Sequence, residues 1–184
     1  VANPPYMGSK GMNSALKDFA KDTFPEAKSD LFAMFIVRGF GLCKLTAFNS
    51  MVTMQGWMFL SSFEPLRQWL LSAKTIQTMA HLGARAFSEI SGEVVQTTAF
   101  STLNSELRNF KPTFFRLIDG QEEQKMLELQ NRQNSFSETS QDDFKKIPGT
   151  PVAYWASQKV LNQYLGKSIN DFADPRQGLA TGDN

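Results

Sequence analysis

An α/β fold with a mostly parallel sheet and one reversed strand is what this chain of 184 residues predicts, on three observations. Runs with apolar residues at helical steps alternate with β-branched and aromatic runs. Helical patterns separate most of the strand-like runs, the order that builds parallel pairs. Two β-rich runs, at 92–103 and 113–119, then follow one another with no helix between them, as an antiparallel pair would.

Residues 13–24, "NSALKDFAKDTF", place helix formers and apolar positions three and four apart until Pro25 halts the pattern. From Asp30 to Phe40, "DLFAMFIVRGF" steps as a buried helix through Leu31, Met34, Phe35 and Arg38, with Gly39 and Gly41 marking its end. In "KLTAFNSMVTMQGWMFLSS" the best strand is Lys44 to Phe48 or Ser50 to Met54. A helix follows in "FEPLRQWLLS", where Glu64 and Pro65 suit a first turn.

"TIQTMAHLGARAF" predicts a strand ending near Leu82, a glycine turn and a short helical piece. "GEVVQTTAFSTL" and "TFFRLID" form the expected antiparallel pair, and "QEEQKMLELQ" is a closing helix. Residues 131–151 turn polar and carry Pro and Gly, reading as a connector with one short element. "VAYWASQKVLNQYLG" is a strand-and-helix fragment, and "DPRQGLATGDN" is an open loop.

Lys and Arg total 19 against 18 Asp and Glu, which excludes a uniformly basic nucleic-acid-binding surface and leaves room for a local basic groove. Cys43 and His81 are single, so there is no intrachain disulfide and no basis for a zinc cluster; a reducing compartment fits. No apolar run reaches the roughly 18 residues of a membrane span, and the first residues lack a signal-peptide pattern, so a cytoplasmic chain without a membrane partner is expected. Val1 in place of Met suggests a processed, trimmed or incompletely represented polypeptide.

Chemistry is most arguable at Asn3-Pro4-Pro5-Tyr6. If Val1 and Ala2 end a parallel strand, this segment stands where ligands bind such sheets. The prolines fix φ and leave carbonyls free to accept, Asn3 adds an amide oxygen, and Tyr6 adds an aromatic plate. Two rigid acceptors beside a ring suit the exocyclic amino group of a planar base. A stiff turn or a polyproline-type ligand fits the same four residues.

Other candidates have ordinary readings beside functional ones. His81 is a catalytic base or a hydrogen-bonded strand-end histidine; with no nucleophile paired to it the second is preferred. Cys43 reads as core filling. Trp57, with Met54, Met58 and Phe59, contacts a ligand or packs a core. Arg85 touches phosphate or pairs on the surface, and Arg108, Lys111 and Arg116 form a basic strip if a hairpin gathers them.

The strings "NPPY", "DLFAMFIVRGFGLCKLTAFNSMVTMQGWMFL", "HLGARAF", "GEVVQTTAF", "FFRLIDG" and "GLATGDN" together resemble the amino-group DNA methyltransferases that modify adenine at N6. The likeness is greatest to the large methyltransferases of bacteriophage-exclusion (BREX) defence systems. It implies a partial Rossmann-like methyltransferase sheet over residues 1–130, followed by a connector and the start of a target-recognition region over 131–184.

It further implies methyl transfer from S-adenosylmethionine to adenine N6 of a base flipped from double-stranded DNA, in restriction-modification or phage defence. Other defence-system proteins would be partners. Asn3 and the Pro4 carbonyl would receive the target amino group, beside Pro5, and Tyr6 would stack on the base. Asp30, Leu31, Phe32 and Phe35 would wall the cofactor and target pockets, and the "GEVVQTTAF" strand would stand near a second wall for the base. The Gly-rich turn and ribose-binding acid of the family have no counterpart in these residues, so this chain by itself is expected to be inactive. The competing reading is a non-catalytic methyltransferase-like module that binds DNA or protein; a small hydrolase lacks its nucleophile elbow, metal cluster and phosphate loop.

Overall fold

The computed structural model describes residues 1–86 and 95–174. Five strands form one sheet in the order β1-β3-β2-β4-β5: β1 is Phe48–Met54, β2 Thr75–Gly83, β3 Thr97–Leu103, β4 Thr113–Arg116 and β5 Ser135–Phe136. β3 lies between β1 and β2 and runs antiparallel to both. β4 is parallel to β2, and β5 is antiparallel to β4.

The sheet is therefore mostly antiparallel, with one parallel strand pair, and the expectation of a mostly parallel sheet is overturned. The cause is position. A reversed strand at an edge alters one pairing, whereas β3 sits inside the sheet and alters two. The expected antiparallel pairing of 113–119 with 92–103 is also absent, because β1 and β2 occupy both edges of β3. Residues 92–94 of that run lie outside the described residues.

Threonines suit β3 to its central place. Thr98 Oγ1 donates to Ala80 O at 3.1 Å on one side, and Thr102 Oγ1 to Asn49 O at 2.9 Å on the other. Their branched side chains fill a pleated, buried surface while neighbouring carbonyls satisfy the hydroxyls. Since β1 and β2 both oppose β3, they point the same way, and β4 joins them. Their carboxyl ends share one edge of the sheet.

The helices α1 (Ser14–Thr23), α2 (Leu31–Leu42), α3 (Glu64–Ala73) and α4 (Glu122–Gln130) stand where their apolar periodicity placed them. Asn13 Oδ1 caps α1 by accepting from Leu16 N at 2.9 Å, and Pro65 occupies the first turn of α3. After β2, Ala84–Ala86 are irregular where a short helical piece was expected, and Phe87 lies outside the described residues. Residues 131–151 hold two short elements, β5 and α5 (Gln141–Phe144), where one was expected. Val152 begins no strand, and α6 (Gln158–Gln163) is the last α-helix described; the terminal loop expected at 174–184 lies outside the described residues beyond 174.

One core unites these parts: Phe32, Ile36, Trp57, Leu70, Ile76, Phe114, Phe144 and Tyr154 are all buried in it. Arg67 is buried within it as well, at 1% exposure. Its guanidinium donates to Trp57 O at 2.9 Å, Leu60 O at 2.6 Å and, through Nε and Nη2, to Gly149 O at 3.1 and 2.7 Å. These carbonyls replace the water a buried cation loses. They tie the loop after β1 to the turn before Val152. Among the described residues no helix is long and apolar enough to cross a membrane.

Gly39 and Gly41 lie inside α2 rather than marking its end. At Gly39 the helix meets β1 so closely that a Cβ would stand 2.7 Å from both Asn49 Nδ2 and Met51 Cε. Asn49 is not free to withdraw, because it is buried and donates to Ile36 O at 3.1 Å. At Gly41 the nearest such atom is Arg38 Nη1, at 4.0 Å. Gly39→Ala should therefore destabilise the chain by about 1 to 3 kcal/mol despite alanine's helix propensity, while Gly41→Ala should be neutral or stabilise by up to about 1 kcal/mol. Urea unfolding of the two variants checks this, and equal shifts of the same sign would refute the close helix–strand approach.

Candidate active site

Ala2 lies beside β1 as a one-residue parallel partner of Met51. Its N–H donates to Ser50 O at 3.0 Å, and its carbonyl accepts from Val52 N at 3.1 Å. Asn3-Pro4-Pro5-Tyr6 therefore leaves the sheet towards the carboxyl end of β1, the side where such sheets bind ligands.

Asn3 and Pro5 are exposed, Pro4 is buried and Tyr6 is half-buried. The Tyr6 ring packs edge-on against Phe32, with centroids 6.0 Å apart. Its hydroxyl donates to Asn3 Oδ1 at 3.4 Å, long for such a bond and easily exchanged for a better donor. Burial pushes the Tyr6 phenol up, so it remains a donor. Among the described residues, neither the Pro4 nor the Pro5 carbonyl accepts a backbone hydrogen bond.

Asp30 fixes the exit from this motif. Its Oδ1 accepts from Met7 N at 3.0 Å and from Phe32 N at 3.2 Å, so one oxygen both tethers the motif and caps α2. Leu31 N donates to Met7 O and Ser9 N to Ser29 O, both at 3.0 Å, completing a short ladder around the Gly8–Asp30 bridge. Phe32 is 1% exposed and packs between Tyr6 and Phe63. Phe35 instead lines a groove between α1 and α2 with Leu16, Phe19 and Phe24. Asp30 Oδ2 makes neither the Met7 nor the Phe32 bond, but Phe32 is buried and Phe35 faces a different groove, so the three residues expected to hold a cofactor do not line one pocket among the described residues.

His81, near the carboxyl end of β2, has both ring nitrogens engaged. Gln55 gives its amide N–H to Gln96 Oε1, so its own Oε1 faces the imidazole and accepts from Nε2 at 2.7 Å. Nδ1 then accepts from the Tyr154 hydroxyl at 2.9 Å. Burial, with the charges of Arg116 and Lys125 nearby, pushes the imidazole down to about 4, and burial pushes the Tyr154 phenol up. A neutral, doubly bonded imidazole positions its neighbours and has no nitrogen to spare for a substrate proton. Phe59 stands beside it, with ring centroids 5.7 Å apart, and Trp155, 45% exposed, packs on Phe59 and Tyr154. Gln55, Tyr154 and Trp155 were not singled out in the sequence; a glutamine directly after a strand at the ligand edge was the available signal.

Of the remaining candidates, Trp57 belongs to the core: it is fully buried, donates to Thr53 Oγ1 at 3.1 Å and packs on Phe100. Cys43 follows the last turn of α2, half-buried with its thiol 3.5 Å from Phe48 O, rather than filling the core. Arg85 is exposed with a left-handed backbone, φ 57°. Arg108, Lys111 and Arg116 lack the hairpin that would gather them. Among the described residues no group of three His, Cys, Asp or Glu could hold a metal ion.

A family model described as Eco57I restriction-modification methylase matches residues 1–87. The chain is 61% identical over 165 residues to the adenine-specific methyltransferase BrxX of Escherichia coli O9:H4 (strain HS), covering 90% of this chain and 14% of that protein. It is 45% identical over 192 residues to the adenine-specific methyltransferase PglX of Lacticaseibacillus casei (strain Zhang), covering 100% of this chain and 16% of that one. The chain thus spans about a seventh of the length of these curated relatives.

Among solved structures it is similar in fold to the Type ISP restriction-modification enzyme LlaGI, seen with a DNA substrate mimic (TM-score 0.55, 15% identity, 88% of this chain and 18% of that chain). It is also similar to the Type IIL restriction-modification enzyme MmeI in complex with DNA (TM-score 0.51, 17% identity, 65% of this chain and 17% of that chain).

The His81 bridge has a pH signature. The folded imidazole titrates near 4 and the unfolded one near 6.5, so between these values only the unfolded chain holds the extra proton. The stabilisation is complete above pH 6.5 and is lost as pH falls towards 4, by about 3 kcal/mol. His81→Gln should remove most of that acid loss, measured as urea midpoints across the window. An acid slope identical to the parent chain would show that His81 is not held neutral.

Proposed function

The chain is a relative of the adenine-specific methyltransferases BrxX and PglX, and from that premise we propose that it carries the target-base side of an adenine-N6 DNA methyltransferase working in restriction modification or phage defence. The observation that carries the reading is the placement of Asn3 Oδ1 and the Pro4 carbonyl at the carboxyl edge of β1, on a segment stiffened by two prolines and backed by Tyr6.

An adenine lifted out of duplex DNA would lay its ring against Tyr6 and give both N6 hydrogens to Asn3 Oδ1 and Pro4 O. As N6 turns from planar to tetrahedral it gains positive charge, and two fixed acceptors stabilise that charge without reorganising. S-adenosylmethionine would supply the electrophilic methyl group when bound, with Asp30 Oδ2 the atom of the expected set left to meet it, while the buried Phe32 backs the Tyr6 ring. Asp30, by fixing Met7, keeps the acceptors in place. The hydroxyl of Tyr6 leaves Asn3 Oδ1 when the stronger amino donor arrives. Tyr154, in the region we take as the start of target recognition, reaches the same edge through His81 and Gln55.

In the complete enzyme, Asn3→Ala should lower the single-turnover rate about a hundredfold to a thousandfold, the equivalent of about 3 to 4 kcal/mol, with DNA and cofactor affinity nearly unchanged. Tyr6→Ala should weaken capture of the flipped base as well, by about 1 to 3 kcal/mol, and Tyr6→Phe should be mild. Single-turnover methylation paired with 2-aminopurine fluorescence at the target position separates the two effects. A near-normal rate for Asn3→Ala with flipping intact would make the motif a stiff turn and favour a non-catalytic module.

A further inference from the structure

A hollow of about 380 Å³ on the segment that follows the Asn3–Tyr6 motif is lined by Ser9, Lys10, Lys17, Lys21, Lys28 and Ser29. Its four lysines come from three separate pieces of chain. Lys10 lies in the short 3-10 turn Ser9–Gly11, which starts three residues after Tyr6. Lys28 precedes α2 and is brought alongside by the Ser9 N to Ser29 O bond and the Gly8–Asp30 bridge. Lys17 and Lys21 are one turn apart on α1, a spacing at which like charges repel by a few tenths of a kcal/mol.

Among the described residues the lining contains no carboxylate. Among the described residues, the one ion pair made by any of these lysines is Lys21 with Asp18, at 4.0 Å between exposed side chains. In a chain whose charges almost cancel, so many ammonium groups around one concavity make a local positive field that a polyanion would neutralise.

We propose that this hollow binds the phosphodiester backbone of DNA next to the extruded nucleotide. The inference rests on the methyltransferase reading, which puts the target base on Tyr6. A flipped base remains joined to its own flanking phosphates, so they arrive at the mouth of the base site. The ladder between residues 7–9 and 29–31 begins directly after Tyr6 and continues into the lysines, so the base site and the phosphate site lie on one tethered segment. Lys10 and Lys28 meet the strand nearest the motif, and Lys17 and Lys21 extend the binding surface along α1. Phosphate binding of this kind is independent of sequence: it fixes register and lengthens residence, leaving recognition to other parts of the protein.

The test is the salt dependence of duplex binding by the complete enzyme, read by fluorescence anisotropy over about 50 to 200 mM salt. The slope of log K against log salt should become shallower by about 0.9 for each phosphate no longer neutralised, hence by roughly 2 to 4 when all four lysines become Gln. The fourfold Lys→Arg variant should keep the slope, and both variants should keep the thermal midpoint of the parent. An unchanged slope in the Gln variant, or equal loss in the Arg and Gln variants, overturns the proposal. So does a Gln variant that keeps its DNA slope and loses salt-dependent binding of polyglutamate, which would make the hollow a site for an acidic protein.

Methyl transfer to adenine is scored separately on the wild type. A shallower slope without any methyl transfer supports the phosphate site and sinks the catalytic reading. Methyl transfer with an unchanged slope does the reverse.

Discussion

The hydrogen bonds from Ala2 N to Ser50 O and from Val52 N to Ala2 O hold the chain against β1 for a single residue. Asn3 then leaves the sheet, and neither Pro4 nor Pro5 has an N–H with which to continue a ladder. The two acceptors are therefore projected at the strand's carboxyl end by what the backbone lacks as much as by what it has. Asp30 closes the other side of the motif, since the oxygen that caps α2 also receives Met7 N. Shifting α2 would move Tyr6 and Asn3 with it. The close approach of Gly39 to β1 sets the position of that helix against the sheet.

The central, reversed β3 has a functional consequence. Because it opposes both β1 and β2, the carboxyl ends of β1 and β2 meet its amino end on one edge. This edge brings Gln55, His81 and Gln96 into one hydrogen-bonded series, which Tyr154 closes from the later part of the chain. Arg67 holds that later part down by clamping Gly149 O to the carbonyls of Trp57 and Leu60. The polar edge and the Asn3–Tyr6 motif are thus carried by one core.

Local chemistry was readable in the sequence. The caps at Asn13 and Asp30, the proline at the start of α3 and the helical spacing of apolar residues each announce an element from neighbours within a few positions. The exit of Asn3–Tyr6 from the sheet was readable for the same reason, since two consecutive prolines lack the N–H groups that would continue a ladder. Strand direction was not, because the pairing of β3 with β1 joins residues about fifty positions apart and nothing local distinguishes a central reversed strand from an edge one. His81 meets Tyr154 across 73 positions and Arg67 meets Gly149 across 82. Gly39 misled because a glycine near a helix end and a glycine under a crossing strand look alike in sequence.

The most direct measurement is a structure of the complete enzyme with duplex DNA and an unreactive analogue of the methyl donor. The account predicts an extrahelical adenine with N6 within about 3.2 Å of both Asn3 Oδ1 and the Pro4 carbonyl, its ring face on Tyr6, and the Tyr6 hydroxyl released from Asn3. An adenine still stacked in the duplex, or one bound elsewhere while Tyr6 keeps its bond to Asn3, would contradict it.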